Sequence, residues 1–430
     1  MRNCLLILTE FPPKITPGVH RSLRFCRHLG EFGWNPIVLT IGDPSHNTPE
    51  LMASLPDSIV IDRLPEAAQP RNKSMASEAS SKSKPGESTS SRGLLTGIKS
   101  SFRPIVRLIQ ETPDKQYPWA KKAAIQGAKL AVQHNAQVVF SSGPPHSTHL
   151  AALAVSKQIK IPLVVDFRDP WGRKPWKNHD NPLRDYVLPW YENKVVRHAN
   201  QVILNTDTSL EDFRKHYPNQ LEKFSCIPNG LDSHLIEQVH ALQKSHSLNA
   251  RPVFIHPGNL YGHRDPVPMI KAIAKLKDQG VEVQFRQIGS IDPHYKADGL
   301  VNDLGLQALV SIEPPMPHQQ VLQAMRDSDA LVIIQPDAPF MVPAKVFEMM
   351  AFDQPILSVS DSPCTEAMVR SSGGACAASR DVDAIAAAIK KVLGMLGSPH
   401  LKALRTQARQ TYDAKTLTSQ LAFRFDSAIQ

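Results

Sequence analysis

Short runs of apolar residues alternate with stretches of helical spacing along most of the chain. In the first half the runs fall at 3–9, 36–41, 58–62, 137–141, 162–167, 201–205 and 223–228. In the second half they fall at 252–256, 281–288, 309–313, 330–334, 355–359 and 373–377. Many are rich in Val, Ile and Leu and do not alternate with polar positions, as strands covered on both faces do not. The intervening segments carry helical spacing, for example Leu23, Cys26 and Leu29 ahead of Gly33. The pattern predicts an α/β protein with parallel sheets.

That is more strands than one sheet holds comfortably. The polar segment around 239–251 reads as a connector, and the strand series restarts at Pro252-Val253-Phe254-Ile255. Two Rossmann-like domains are expected, over 1–240 and 252–405, followed by a C-terminal stretch over 406–430. Such sheets bind ligands at the carboxyl ends of their strands, so the expected site is a cleft between the two. Residues 65–93 interrupt the pattern: they are rich in Ser, Lys and Glu, nearly free of large apolar residues, and expected to be disordered. Over 94–110, apolar residues such as Leu95, Ile98, Phe102, Ile105 and Ile109 recur at helical spacing with Lys99, Arg103 and Arg107 among them. This basic amphipathic helix suits an anionic membrane surface or, more simply, docking on the N-terminal domain.

Composition narrows the classes. The 430 residues are 41% hydrophobic, enough for a sizeable core. Aromatics at 6% argue against a stacking platform for single-stranded nucleic acid. The net charge of +9 suggests an anionic partner, either a membrane face or a phosphorylated ligand. No nucleic-acid partner is expected, since neither zinc-finger spacing nor a basic zipper region occurs. Cys4, Cys26, Cys226, Cys364 and Cys376 lie far apart and are odd in number, which fits a cytoplasmic protein with buried thiols and no zinc. No apolar run approaches the roughly 18–20 residues of a membrane span. Leu5–Leu8 leads into Glu10 and two prolines, and reads as a first strand, not a signal peptide.

Five segments carry candidate chemistry. In TEFPPKITPGVHRS (9–22) a strand gives way to a helix near Gly18, with His20 and Arg21 in its first turn; a helix start favours anions, or this is a plain strand–helix turn. In FSSGPPHSTHL (140–150), His146 stands near a helix start at a strand's carboxyl end. In VVDFRDPW (164–171) an apolar strand delivers Asp166, Arg168 and Asp169, which either pair structurally or line the cleft, and Trp171 is a sugar-stacking ring or a core residue. In HPGNLYGHRDPVPMIKAI (256–273), Gly258 and Gly262 allow close backbone approach to a pyrophosphate that Arg264 could grip. In VPAKVFEMMAFDQPIL (342–357), Lys345 and Glu348 share a helix face. They are either a surface pair or, for Glu348, a carboxylate suited to ribose hydroxyls.

Taken in order, these segments resemble the family 4 glycosyltransferases, the large retaining family of the GT-B fold. The likeness covers nearly the whole chain except 65–93 and includes IPNGLD at 227–232. It is closest to the branch with DFRDPW-like, GNLYGHRDP-like and P-x-K-x-x-E-x-x-A segments. The resemblance implies a C-terminal helix over 406–430 returning to the first domain. It implies that Glu348 holds the donor ribose, that Arg264 and Lys345 meet the donor diphosphate, and that Gly18 belongs to the glycine loop near it. Arg168 or Asp169 then lies near the transferring carbon, with Arg21, His146 and Asp166 on the acceptor side. Three positions depart from the pattern. Met341 stands where the first of two glutamates is usual, Asp353 where a glycine is usual, and a second phosphate lysine has only Lys271 nearby.

The function so implied is transfer of a hexose-type sugar from a nucleotide-sugar donor to a glycan or lipid-linked acceptor in cell-surface polysaccharide synthesis. No metal or other cofactor is expected, and peripheral contact with the inner membrane face would suit the charge. The triplets Asp327–Asp329 and Asp381–Asp383 read as turn and helix-start residues, not as metal ligands. Two rival readings share the fold. One is a nucleotide-sugar 2-epimerase, drawing on His146, His256 and Asp169; the other is a non-catalytic partner subunit, which Met341 would permit.

Overall fold

A computed structural model describes residues 1–14, 16–42, 52, 54–66, 112–173, 182–244 and 251–430. The 94–110 helix and all but the first two residues of the 65–93 insertion lie outside the described residues.

Among the described residues the apolar runs become thirteen strands. The first seven are β1 (Arg2–Leu8), β2 (Trp34–Gly42), β3 (Val60–Pro65), β4 (Ala136–Gly143), β5 (Leu163–Phe167), β6 (Gln201–Leu204) and β7 (Phe224–Cys226). They form one sheet of order β3-β2-β1-β4-β5-β6-β7. The other six are β8 (Val253–Pro257), β9 (Gln284–Ile288), β10 (Val310–Glu313), β11 (Ala330–Gln335), β12 (Ile356–Ser360) and β13 (Gly374–Ala377). They form a parallel sheet of order β10-β9-β8-β11-β12-β13. This is the doubly wound order, and its direction reverses between β8 and β11, where such sheets bind ligands. The fold is therefore α/β with two Rossmann-like parallel sheets. The chain divides into two compact units: residues 1–26, 33–202 and 425–430, and residues 27–32 and 203–424.

In the first unit, α1 (Pro17–His28) follows β1, and α2 (Tyr117–Gln133), α3 (Ser147–Ile159) and α4 (Pro182–His198) follow β3, β4 and β5. Right-handed crossovers put α2, α3 and α4 on the face of the sheet opposite α1. Cys4 to Leu8 of β1 are at most 1% exposed, which is why that run shows no alternation.

In the second unit, Phe254, Val332 and Ile334 point into one core, while Ile255, Leu331 and Ile333 point into another. Successive strand residues thus serve opposite faces, each covered by helices. Helices α5 (Asp207–His216) and α6 (Ser233–Ala241) precede this sheet. Its own helices are α7 (Val267–Asp278), α8 (Ala297–Asp303), α9 (His318–Asp327), α10 (Ala344–Met349), α11 (Pro363–Ser371) and α12 (Val382–Leu393).

The C-terminal stretch is two helices, α13 (Pro399–Thr411) and α14 (Ala414–Ile429). They break where the Asp413 side chain accepts the Thr416 N–H at 2.9 Å, a cap that starts a new helix. Phe425, at the end of α14, is fully buried in the first unit, edge-on to Trp34 and Phe140 with ring centroids 5.3 and 5.7 Å away. Next to it, Asp426 pairs with Arg2 and accepts the Trp34 indole N–H at 3.0 Å.

Candidate functional site

Two groups of polar side chains gather at carboxyl ends of strands, one in each unit. In the first unit, β5 brings Asp166 under α1. Arg21 grips it with two hydrogen bonds, Nε to Oδ2 at 2.9 Å and Nη2 to Oδ1 at 2.7 Å. Ser142 at the end of β4 donates to Oδ2 at 2.7 Å. The two charged side chains are 3% and 0% exposed, so this pair clamps α1 to β4 and β5 and presents neither group to solvent.

Arg168 follows β5 and turns back toward α1. Its backbone N–H donates to the Gly143 carbonyl at 2.9 Å, and its Nη2 donates to the Pro144 carbonyl. The guanidinium lies against Gly18: a Cβ there would stand only 1.8 Å from Nη1. The residue at this point must be glycine for the arginine to rest where it does. Arg168 Nε is buried with no hydrogen-bond partner among the described residues. Burial draws the Arg168 pKa down, and the charges of Asp166, Glu10 and Asp169 oppose that shift. Burial likewise raises the Asp169 carboxyl, against the pull of Arg168.

His146 does not stand alone. Its ring stacks on Trp171 at 5.1 Å, and His149 lies 4.6 Å from Phe167. Trp171 is 2% exposed and is therefore a core ring. His149, which the sequence reading passed over, is fully buried, with Nδ1 2.9 Å from Ser141 Oγ. Burial takes its pKa down to about 3, Arg168 adding to the effect and Asp166 opposing it. The one sequence signal for it was its place three residues after His146, on the same helix face.

The second group sits where the order of the second sheet reverses. His256 near the end of β8 is 3% exposed and shares a 2.7 Å hydrogen bond between Nδ1 and Gln287 Oε1. Gln287 Nε2 in turn donates to the Gly258 carbonyl at 2.6 Å, fixing the first turn of the loop after β8. The Lys345 stem passes over that turn, its Cε 3.1 Å from where a Gly258 Cβ would lie. Arg264 Nε donates to Gln335 Oε1 at 3.0 Å, at the end of β11, and the guanidinium lies 5.1 Å from the Tyr261 ring centroid. Burial lowers the His256 pKa to about 4; the Gln287 bond opposes this, while the charges of Lys345 and Arg264 add to it. Two cations therefore bear on one neutral ring at the switch point.

Glu348 of α10 is 3.8 Å from Lys345 Nζ through Oε2 and 3.8 Å from His318 Nε2 through Oε1, with its side chain 21% exposed. Lys345, with Glu348 beside it, thus reaches the loop after β8, while Arg264 is held at the end of the adjacent β11. Gln287, Gln335 and His318 join them without having been singled out from the sequence.

The departures from the family pattern also find places. The Met341 carbonyl accepts from Ser362 Oγ at 3.3 Å and Thr365 Oγ1 at 3.2 Å, which fixes its backbone. Lys271 is an exposed residue of α7. Asp353 is held by Arg409 at 2.8 Å and Arg326 at 3.5 Å, a structural use for an acid at that position. The paired aspartates have structural partners as well. Asp329 accepts the Val253 N–H at 2.9 Å, and Asp381 caps α12 by accepting from the N–H groups of Asp383 and Ala384.

Two family models match in series. Residues 91–235 match Glycosyltransferase Family 4, and residues 240–411 match Glycosyl transferases group 1. A D-inositol 3-phosphate glycosyltransferase from Nocardiopsis dassonvillei is 23% identical over 215 residues, covering 47% of this chain and 49% of that protein. The chain spans about half the length of the curated relatives it matches. The fold is shared with a glycosyltransferase from Rickettsia africae at a TM-score of 0.65 and 13% identity, over 100% of this chain and 99% of that one. It is shared equally with Anabaena HepE, solved with UDP, at a TM-score of 0.65 and 16% identity, over 99% of this chain and 100% of that one. Fold and matches together define a glycosyltransferase of the GT-B class. Within that class, the amino-terminal part of the chain matches the family 4 model and the carboxyl-terminal part the group 1 model.

Proposed function

We propose that the protein is a retaining glycosyltransferase that moves a hexose-type sugar from a nucleotide-sugar donor to a glycan or lipid-linked acceptor, in cell-surface polysaccharide synthesis. The observation that carries this reading is the placement of Arg264, held at the end of β11, and Lys345, over the loop after β8, at the switch point of the second sheet. These cations would take the donor diphosphate, and Glu348 the ribose hydroxyls. The UDP held by the HepE structure supports a uridine nucleotide as the first donor to test.

In the reaction, the bond from the anomeric carbon to the diphosphate oxygen breaks and the electron pair leaves with the diphosphate. An acceptor hydroxyl forms the new bond on the same face, and its proton ends on the departing phosphate. Cations fixed in place beforehand stabilise the charge that develops there, usually the largest catalytic effect. The reading requires no metal. Arg168 and Asp169, at the carboxyl end of β5, would bear on the transferring carbon. His146 would belong to the acceptor side, with the Arg21–Asp166 pair holding that region in shape. The chain would work in the cytoplasm at the inner membrane face. No described helix is long and apolar enough to cross a membrane.

Calorimetric titration with UDP, GDP and their sugar conjugates tests the donor site. One nucleotide series should bind, and Arg264→Ala and Glu348→Ala should each weaken it by about 10- to 100-fold, the value of a charged hydrogen bond. Absence of binding throughout the panel, or full affinity in both variants, would overturn the assignment.

A further inference from the structure

The outer layer of the first unit carries a surface that donor chemistry does not use. Helix α2 exposes Lys121, Lys122 and Lys129 and contains no acidic residue. Helix α3 packs beside it, also without an acid, and exposes Lys157, with Lys160 just past its end. Helix α4 packs on α3 and exposes Lys194 and Arg197. Of the two acids on α4, Glu192 is fully buried and accepts the Gly172 N–H, and Asp185 is half-buried. Three neighbouring helices on one face of the sheet thus show water several cations and no fully exposed carboxylate.

Large apolar side chains stand among those cations. Ile125 and Val132 of α2 are 64% and 66% exposed, and Tyr186 and Trp190 of α4 are 82% and 58% exposed. Tyr186 and Trp190 are one helical turn apart, and the Lys194 ammonium lies 5.0 Å from the Trp190 ring centroid. Exposed aliphatic side chains gain nothing from a phosphodiester backbone. Amphipathic rings and long lysines over aliphatic residues do suit the boundary between lipid headgroups and acyl chains, where Trp and Tyr collect and lysine stems bury while their charges stay wet.

We propose that the α2–α3–α4 face of the first unit docks on the surface of an anionic lipid bilayer, with Trp190 and Tyr186 entering the headgroup layer and the lysines neutralising lipid charge. The proposal stands whether or not the donor assignment does. It also locates the contact within the described helices and not in the 94–110 segment.

The test is co-sedimentation of the full chain with phosphatidylcholine vesicles, with and without phosphatidylglycerol, at low and raised salt. Binding is expected only with the anionic lipid and should weaken with salt. The triple variant Lys121→Glu/Lys122→Glu/Lys129→Glu should bind roughly a hundredfold more weakly, at about fivefold for each basic residue lost. Tyr186→Ala/Trp190→Ala removes only surface rings and should lower binding severalfold. The fluorescence difference between wild type and Trp190→Phe should shift to shorter wavelength when vesicles are added. Circular dichroism confirms that each variant is folded. Unchanged vesicle binding in both multiple variants would overturn the proposal. So would binding to heparin or duplex DNA as tight as to anionic vesicles without a Trp190 shift, which would mark the face as a site for another polyanion.

Discussion

Replacing Asp166 with asparagine removes one charge and little volume. The amide keeps a single oxygen for the three hydrogen bonds that Arg21 and Ser142 now direct at the carboxylate. The Arg21 guanidinium, only 3% exposed, stays charged with its counter-ion gone. Breaking a buried pair from one side costs about 3–5 kcal/mol. Because the amide still accepts one bond, the low end of that range is expected, about 3 kcal/mol, a large share of a domain's stability of about 5–15 kcal/mol. The buried Arg168 adds to the loss, because Asp166 is among the charges that favour its ionised form. Urea denaturation followed by tryptophan fluorescence measures the effect. The described tryptophans, Trp34, Trp119, Trp171 and Trp190, lie within the first unit, so their signal reports that unit. The double variant Arg21→Met/Asp166→Leu, which leaves no charge stranded, should lose less than Asp166→Asn. A loss below about 1 kcal/mol in the single variant, at unchanged denaturant slope, would refute the reasoning.

Two further outcomes are expected. His256 and His149 are held neutral by burial, with pKa values of about 4 and about 3 against 6.5 for a free ring. Between these values the unfolded chain binds protons that the folded one refuses. Stability should therefore fall as pH drops below about 6.5, by up to about 1.4 kcal/mol per pH unit for each ring, and be insensitive to them above about 7. Far-ultraviolet circular dichroism in urea at several pH values checks this; an unaltered slope in His256→Gln would remove that ring from the account. Gly289 has φ +125°, and a Cβ on it would stand 2.6 Å from the Gly258 carbonyl oxygen, a backbone atom that cannot swing aside. Gly289→Ala should cost roughly 2–4 kcal/mol from strain and crowding together, and nucleotide affinity should fall with it. Wild-type stability in that variant, by the same denaturation, would show that Gly289 does not lie against the Gly258 carbonyl.

The strands were legible because parallel sheets covered by helices demand unbroken apolar runs, and each predicted run lies within three residues of a strand. What pattern could not supply was pairing at a distance. Arg21 and Asp166, 145 residues apart, were each plausible as groups facing an acceptor; only the packing of α1 over β5 joins them. Trp171 had two readings because a ring next to charged residues can face either way, and its stacking on His146 decides for the core. Asp353 looked like a defect in a motif until Arg409, on a helix far along the chain, met it. Lys345 and Glu348 were joined by helical spacing, a local relation. The meeting of Lys345 with the loop after β8 depends on two adjacent strands that the sequence separates widely.

The first unit is closed by Phe425 and Asp426, near the far end of the chain. A nascent protein emerges in order, at about 5–20 residues per second, so Trp34 and Phe140 wait on the order of tens of seconds for the ring that covers them. During that interval an amino-terminal sheet that had formed would leave part of its apolar core uncovered. Deleting the last turns of α14 would make that interval permanent, and a chaperone that binds exposed aromatic surface would have its longest opportunity at the first unit, although most of that unit is synthesised before the second.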